Sequence, residues 1–384
     1  MQVNPLQWHP DTGWTGGTPT QAALVLAFGH RPLLSHAHAA LCAMAPESQI
    51  VSLSTSGEIV GERVTEQTVQ AIAVSFERTR VRMAVERCSA VEHSEAAGRA
   101  LGAALRQSAP ADGEPNLPPL SHILLFSNGL LVNGTALAGG LQASVGAKVS
   151  ITGGLAGDGA AFGQTLVCAN AAQGQDIVVA VGLFSDHLEV GYGSQGGWQR
   201  FGPVRQITDA DGSVLRTLDS KTALDKYKEY LGEHAAGLPA SALLFPLFVR
   251  RAHAEHGLVR TILAIDQQTA SMTFAGDIPQ GGTAQLMHAN PDGLVSGAEN
   301  AAQAATDMLS GPAELALLVS CVGRRLFMQQ RVEEEVDAVR DVVGPQAVLA
   351  GFYSYGELCP PARDADCELH NQTMTITLLR EVGG

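Results

Sequence analysis

Nine residues in the second half of the chain are of types that do chemistry, and they recur where strands should end. They are Cys321, Arg324 and Arg325; Tyr353, Ser354, Tyr355 and Glu357; and His370 with Asn371. Guanidinium groups take a carboxylate through paired hydrogen bonds, aromatic rings wall an apolar body, and Asn, Ser and Glu fix an amine. That combination suits a small amphoteric ligand. A cysteine near an arginine and a distant histidine also permits nucleophilic catalysis, the cation lowering the thiol pKa and the imidazole acting as base. No local catalytic signature surrounds Cys321, so binding is the leading reading, no residue is assigned as catalytic, and a Cys321-dependent enzyme is an alternative. A purely structural account also exists: Arg325 pairs with Glu357, Cys321 packs as a small hydrophobe, and His370 caps a turn.

Two glycine motifs point elsewhere on first inspection. Gly191-Tyr192-Gly193-Ser194-Gln195-Gly196 has the G-x-G-x-x-G spacing of a dinucleotide loop, but no helix pattern follows it, so a β-hairpin is predicted. Gly153 to Gly159 can cradle an anion through backbone N–H groups, yet it lacks the Lys-Ser/Thr of a P-loop, leaving a glycine turn at a strand end.

The elements that position these residues show an internal echo. Ala23 to Gly61 and Leu315 to Pro360 each run from an apolar strand through a helix to a proline, then to a second strand and a Gly-Glu pair. Proline to glycine is eleven residues in both. A weaker third copy spans Ile123 to Gly154. Strand–helix–strand crossovers place their strands parallel in one sheet. The fold class is therefore mixed α/β, with large mixed sheets flanked by helices. Residues 1–20 read as an irregular arm, 21–220 as a first domain and 221–384 as a second, ligand-binding domain. A proline-rich insertion loop falls at 107–119, and a helical stripe of Leu224, Tyr227 and Leu231 marks a hinge.

Composition limits the partners. With 24 Lys and Arg against 38 Asp and Glu, the net charge of −14 repels nucleic acid and anionic membrane. No apolar run approaches the ~18 residues of a membrane span, and no basic, apolar leader opens the chain, so a cytoplasmic location is expected. Six scattered cysteines without a C-x-x-C pair read as reduced thiols.

At these residues the chain resembles the FIST family of sensory proteins. The resemblance is carried by Ser54-Thr55-Ser56-Gly57-Glu58-Ile59, Gly153 to Gly159, Ser320 to Arg325, Gly351 to Glu357, Phe245-Pro246-Leu247 and Leu369 to Thr373. It implies a FIST N domain over 21–220 and a FIST C domain over 221–384, sensing a small ligand such as an amino acid. It further implies a separate output partner, such as a histidine kinase or a cyclic-di-GMP enzyme. Some relatives resemble haem-binding nitric oxide sensors. Haem needs an axial ligand, and His234, His256, His288 and His370 are the candidates, without a ranking among them. A ligand-free interaction scaffold is the remaining alternative.

Overall fold

A computed structural model describes residues 1–17, 19–107, 117–238 and 240–383. The insertion loop read at 107–119 lies, over 108–116, outside the described residues. Within them, all three copies of the echo are parallel crossovers. Leu24–Gly29 pairs with Gln49–Ser54, Leu120–Ser127 with Ser150–Leu155, and Leu315–Cys321 with Val348–Ser354. The first strands of the first and third repeats are mostly apolar and wholly buried, as strands covered on both faces must be. Two of the intervening helices carry sequence-level start signals. Asn133 Oδ1 accepts the Ala136 amide at 3.1 Å, and Pro32 opens the helix Arg31–Met44.

The copies are joined by a cyclic exchange. After its second strand each repeat sends a short hairpin into a neighbour's sheet. Glu58–Val60 of the first repeat pairs with Val348–Ser354 of the third, Val167–Ala169 of the second with Gln49–Ser54 of the first, and Gly356–Cys359 of the third with Ser150–Leu155 of the second. Each chain then returns antiparallel to its own first strand, as Val69–Ser75, Ile177–Phe184 and Met374–Glu381. The result is three sheets in pseudo-threefold arrangement about a shared apolar centre. One phenylalanine per repeat meets there: Phe28 stacks on Phe352 at 4.8 Å and Phe126 tilts against it at 6.4 Å. Each such buried ring contributes about 1.5–3 kcal/mol, and none is available to a single repeat alone.

Two local expectations are corrected. The N-terminal residues are not irregular: Gln2–His9 and Gly13–Gly16 form a hairpin on the edge of the first sheet, alongside Val69–Ser75. Trp8 and Trp14, 5.6 Å apart, turn onto the helix Arg31–Met44, and Trp14 Nε1 donates to the Ala37 carbonyl at 2.8 Å. Strand pairing there is set by a partner sixty residues away, which local periodicity does not show. The G-x-G-x-x-G segment is not a hairpin either, because Leu188–Gln195 and Gln199–Asp211 enter different sheets. Its glycines serve packing. A Cβ at Gly191 would sit 2.0 Å from the Ala305 carbonyl oxygen, and one at Gly193 2.2 Å from that of Ala301, so the helix Pro291–Thr306 lies directly on the strand.

Between the strand Leu188–Gln195 and that helix is inserted a fourth, eight-stranded sheet. The helix Ala223–Leu231 forms as its stripe predicts, and Leu224, Tyr227 and Leu231 pack into the inserted sheet beside Ile207 and Leu218. No helix of the described residues is long and apolar enough to cross a membrane.

Candidate functional site

The nine residues singled out in the sequence are not brought into one open crevice. Arg324 is fully buried and spent internally. Its Nε and Nη2 donate to Glu335 Oε2 at 2.9 and 2.7 Å, Nη2 also reaches the Leu294 carbonyl at 2.8 Å, and Nη1 donates to the Gly196 carbonyl. Ser320 and Tyr353 complete the network through Glu335 Oε1. Arg325 pairs with Glu66 and the Ser56 carbonyl, so the Arg325–Glu357 pair of the alternative structural account does not form.

Glu357 accepts instead from Ser354 Oγ at 2.7 Å and from Thr373 N and Oγ1 at 3.1 and 2.9 Å. Glu58 is its counterpart in the first repeat, held by Thr55 at 2.8 Å and Thr68 at 2.7 Å. This explains the Gly-Glu element of the echo: each glutamate pins the point where a hairpin crosses to the next sheet. Burial pushes Glu357 up to about 8 and Glu58 up to about 7. Cys321 is buried beside Glu357, and burial followed by that carboxyl drives its thiol pKa up.

Gly153 and Gly154 lie within the strand Ser150–Leu155 rather than in a turn, and Tyr355 joins the loop that follows that strand, as convergent strand ends would. Its hydroxyl contacts Asp158, lies 2.9 Å from the Gly159 carbonyl and accepts the Phe162 amide at 3.1 Å, while its ring stacks on Phe162 at 4.5 Å. Asn371 is buried with both side-chain polar atoms unpartnered.

The open space lies one strand away. A cleft of about 610 Å³ separates the inserted sheet from the hairpin Gly356–Cys359/Glu368–His370, within the usual range for small-ligand sites. Trp198 and Phe248 supply aromatic walls, and Arg200, Arg251, Arg260 and His370 supply polar groups. Arg200 Cζ lies over the Phe248 ring at 4.6 Å, and Trp198 is fixed by its Nε1 donating to the Gln372 carbonyl at 2.9 Å. His370 Nε2 is 2.9 Å from the Cys359 carbonyl, and burial brings its imidazole down to about 4, so it is neutral with Nε2–H donating. Of the other histidines, His256 is exposed on the cleft, His234 is exposed against Phe245, and His288 packs edge-on to Phe201. Sequence reasoning missed Arg200, Arg251 and Arg260; each sits on or beside a strand of the inserted sheet, outside any motif.

A second hollow of about 670 Å³ adjoins the helix Arg31–Met44. Its buried His38 is already satisfied by Ser52 Oγ at 2.7 Å and the Asn170 carbonyl at 2.8 Å.

Comparison with known proteins divides the chain between two domain models. The FIST N domain model matches residues 23–221 and the FIST C domain model residues 223–360. An uncharacterized protein of Mycobacterium tuberculosis is 26% identical over 179 residues, 45% of this chain and 46% of its own length. An uncharacterized protein of Mycobacterium bovis is 27% identical over 180 residues, with shares of 45% and 46%. The chain spans about half the length of the curated relatives it matches. Two adjoining domain models thus account for nearly all of it, and the chain belongs to the FIST family, whose domains are linked to sensing in signal transduction.

Proposed function

We propose that this protein is a cytoplasmic small-ligand sensor whose ligand seats in the cleft between the inserted sheet and the third repeat. Occupancy is passed to a separate partner, such as a histidine kinase or a cyclic-di-GMP enzyme. The observation that carries the reading is the cleft itself: aromatic walls and several polar side chains converge at the seam between two units. The inserted sheet joins the core through short connections at 195–199 and 288–291. A ligand gripping both sides favours one relative placement of the units and so biases a partner surface. The buried, raised thiol of Cys321 supports binding over cysteine catalysis, because a nucleophilic thiol needs a lowered pKa and access.

A thermal-shift panel of small metabolites tests this. A cleft ligand at a hundredfold excess over its Kd adds about 2.7 kcal/mol, and the shift should vanish in Arg251→Ala, which is exposed and safe for folding. A panel that leaves the protein unmoved, or a shift identical in the variant, overturns the proposal.

Haem is a second reading, favoured by His370. Among the four candidate histidines it alone is buried against the cleft, and with its Nε2–H held by the Cys359 carbonyl its Nδ1 is the nitrogen left for a metal. His370 would be the axial ligand, with Arg200 and Arg251 available to the propionates. Bound haem would supply an iron centre for a diatomic gas. A stoichiometric Soret band lost in His370→Ala is the expected result; a spectrum equal to free haem rejects it.

A further inference from the structure

Several arginines elsewhere in the fold, the buried Arg324 among them, are matched to carboxylates: Arg324 to Glu335, Arg331 to Asp292 and Glu334, Arg340 to Glu62, Arg380 to Glu189. Arg200, Arg251 and Arg260 are not. Among the described residues no carboxylate lies within 4.0 Å of any of the three, and all three line the one cleft.

Arg260 is the most informative. It is 2% exposed, at the end of the strand Leu258–Arg260. Its Nε donates to the Asp277 carbonyl at 3.2 Å and its Nη1 to the Leu369 carbonyl at 2.9 Å, while the structure gives Nη2 no acceptor. The guanidinium rests on Gly276, where a Cβ would stand 2.9 Å from Nε and 3.0 Å from Cζ, so the absent side chain makes its seat. A buried cation without a counter-ion in contact is costly, and retaining one at a cleft wall is explained when the counter-ion arrives with a ligand. Burial draws Arg260 down to about 10, with Asp277 and Glu368 opposing from beyond contact and Arg251 adding repulsion. Those two carboxylates and Glu255 also line the cleft, and Asp277 Oδ1 is already taken by Asn133 Nδ2 at 2.8 Å. Their negative charge disfavours polyanions and favours one compact acidic group set directly on the arginines.

We propose that the cleft is an oxyanion site, in which Arg260, flanked by Arg200 and Arg251, takes the carboxylate or phosphate of a small ligand whose apolar body packs against Trp198 and Phe248. The assignment rests on the cleft being the ligand site and adds the class of ligand.

The test is calorimetric titration of the full chain with benzoate, phenyl phosphate and neutral benzamide, which share a ring and differ in the head group. At least one acid should bind about tenfold or more tighter than benzamide, the worth of a charge-assisted hydrogen bond. The tighter of the two identifies the head group. That preference should disappear in Arg260→Gln and fall in Arg251→Gln, the latter guarding against loss of fold as the cause. Equal binding of all three, no binding of either acid, or acid binding unchanged in both variants overturns the assignment. A neutral or cationic metabolite stabilising the wild type but not Arg251→Ala would leave the sensor reading standing while removing this one.

Discussion

Replacing Glu335 by alanine is expected to cost about 3–5 kcal/mol of stability, read as a lowered midpoint in denaturant unfolding. Glu335 and Arg324 are both wholly buried, and their contact at 2.7 Å is the centre of a network rather than an isolated pair. Glu335 Oε1 accepts from Ser320 Oγ at 3.0 Å and Tyr353 OH at 2.8 Å, so two strands and the helix Glu333–Val343 meet on one carboxylate. Alanine removes the counter-ion and strands the guanidinium in a low-dielectric interior. Glutamine keeps the shape and an oxygen acceptor, so its loss should be smaller. The double variant Arg324→Met with Glu335→Leu should recover much of the deficit, because apolar residues of similar volume often replace a buried pair at little cost. A cost below about 1 kcal/mol for Glu335→Ala would mean that the pair behaves like a solvated surface pair. The network also matters to the cleft: Arg324 holds the Gly196 carbonyl, and Gly196 lines the cleft wall. A loosened network should therefore weaken ligand binding without touching a cleft side chain.

The parallel crossovers were legible in the sequence because each is local. An apolar strand, a helix, a proline and a Gly-Glu turn lie within some forty-five residues, and their spacing repeats. The exchange of hairpins between repeats was not legible. Glu58–Val60 pairs with residues 350–352, and the chemistry of a short strand says nothing about which distant edge it will join. The same limit explains the N-terminal hairpin, which is stabilised by Val69–Ser75 rather than by its own pattern. At the candidate site the residue types were legible in the sequence and their partners were not. Arg324 and Arg325 carry the guanidinium chemistry expected of a carboxylate site, but Glu335 and Glu66 consume it within the chain. Whether an arginine is free depends on a partner that sequence spacing does not reveal. Arg260 shows the converse: nothing around Leu258–Arg260 marks it, and only the packing against Gly276 and Leu369 shows a cation held at a cleft.

Stability is expected to fall as pH rises from about 5 to about 8, and Glu357→Gln should flatten that fall. Burial raises Glu357 from 4.5 to about 8 and Glu58 from 4.5 to about 7, against the hydroxyl and amide donors that pull each down. A carboxyl raised by folding holds its proton more tightly folded than unfolded. The stability it contributes is complete below 4.5, where both states are protonated, and is lost as pH climbs through the folded value. Each group contributes a slope of up to about 1.4 kcal/mol per pH unit over its window. The two overlap up to about 7, and Glu357 acts alone from there to about 8. Glutamine can still accept from Thr373 but cannot ionise, so the variant should be less pH-sensitive than the wild type and should gain on it at the alkaline end. Denaturant midpoints for both proteins across this range decide the matter. Subtracting one curve from the other removes the background of the other 37 acidic residues out of 38. A difference that stays level, or that favours the wild type as pH rises, would show that Glu357 is already ionised at its crossover and that Arg324 and the hydroxyl donors outweigh its burial. The pseudo-equivalent Glu58 then serves as the internal comparison, since Glu58→Gln should end its effect about one pH unit earlier.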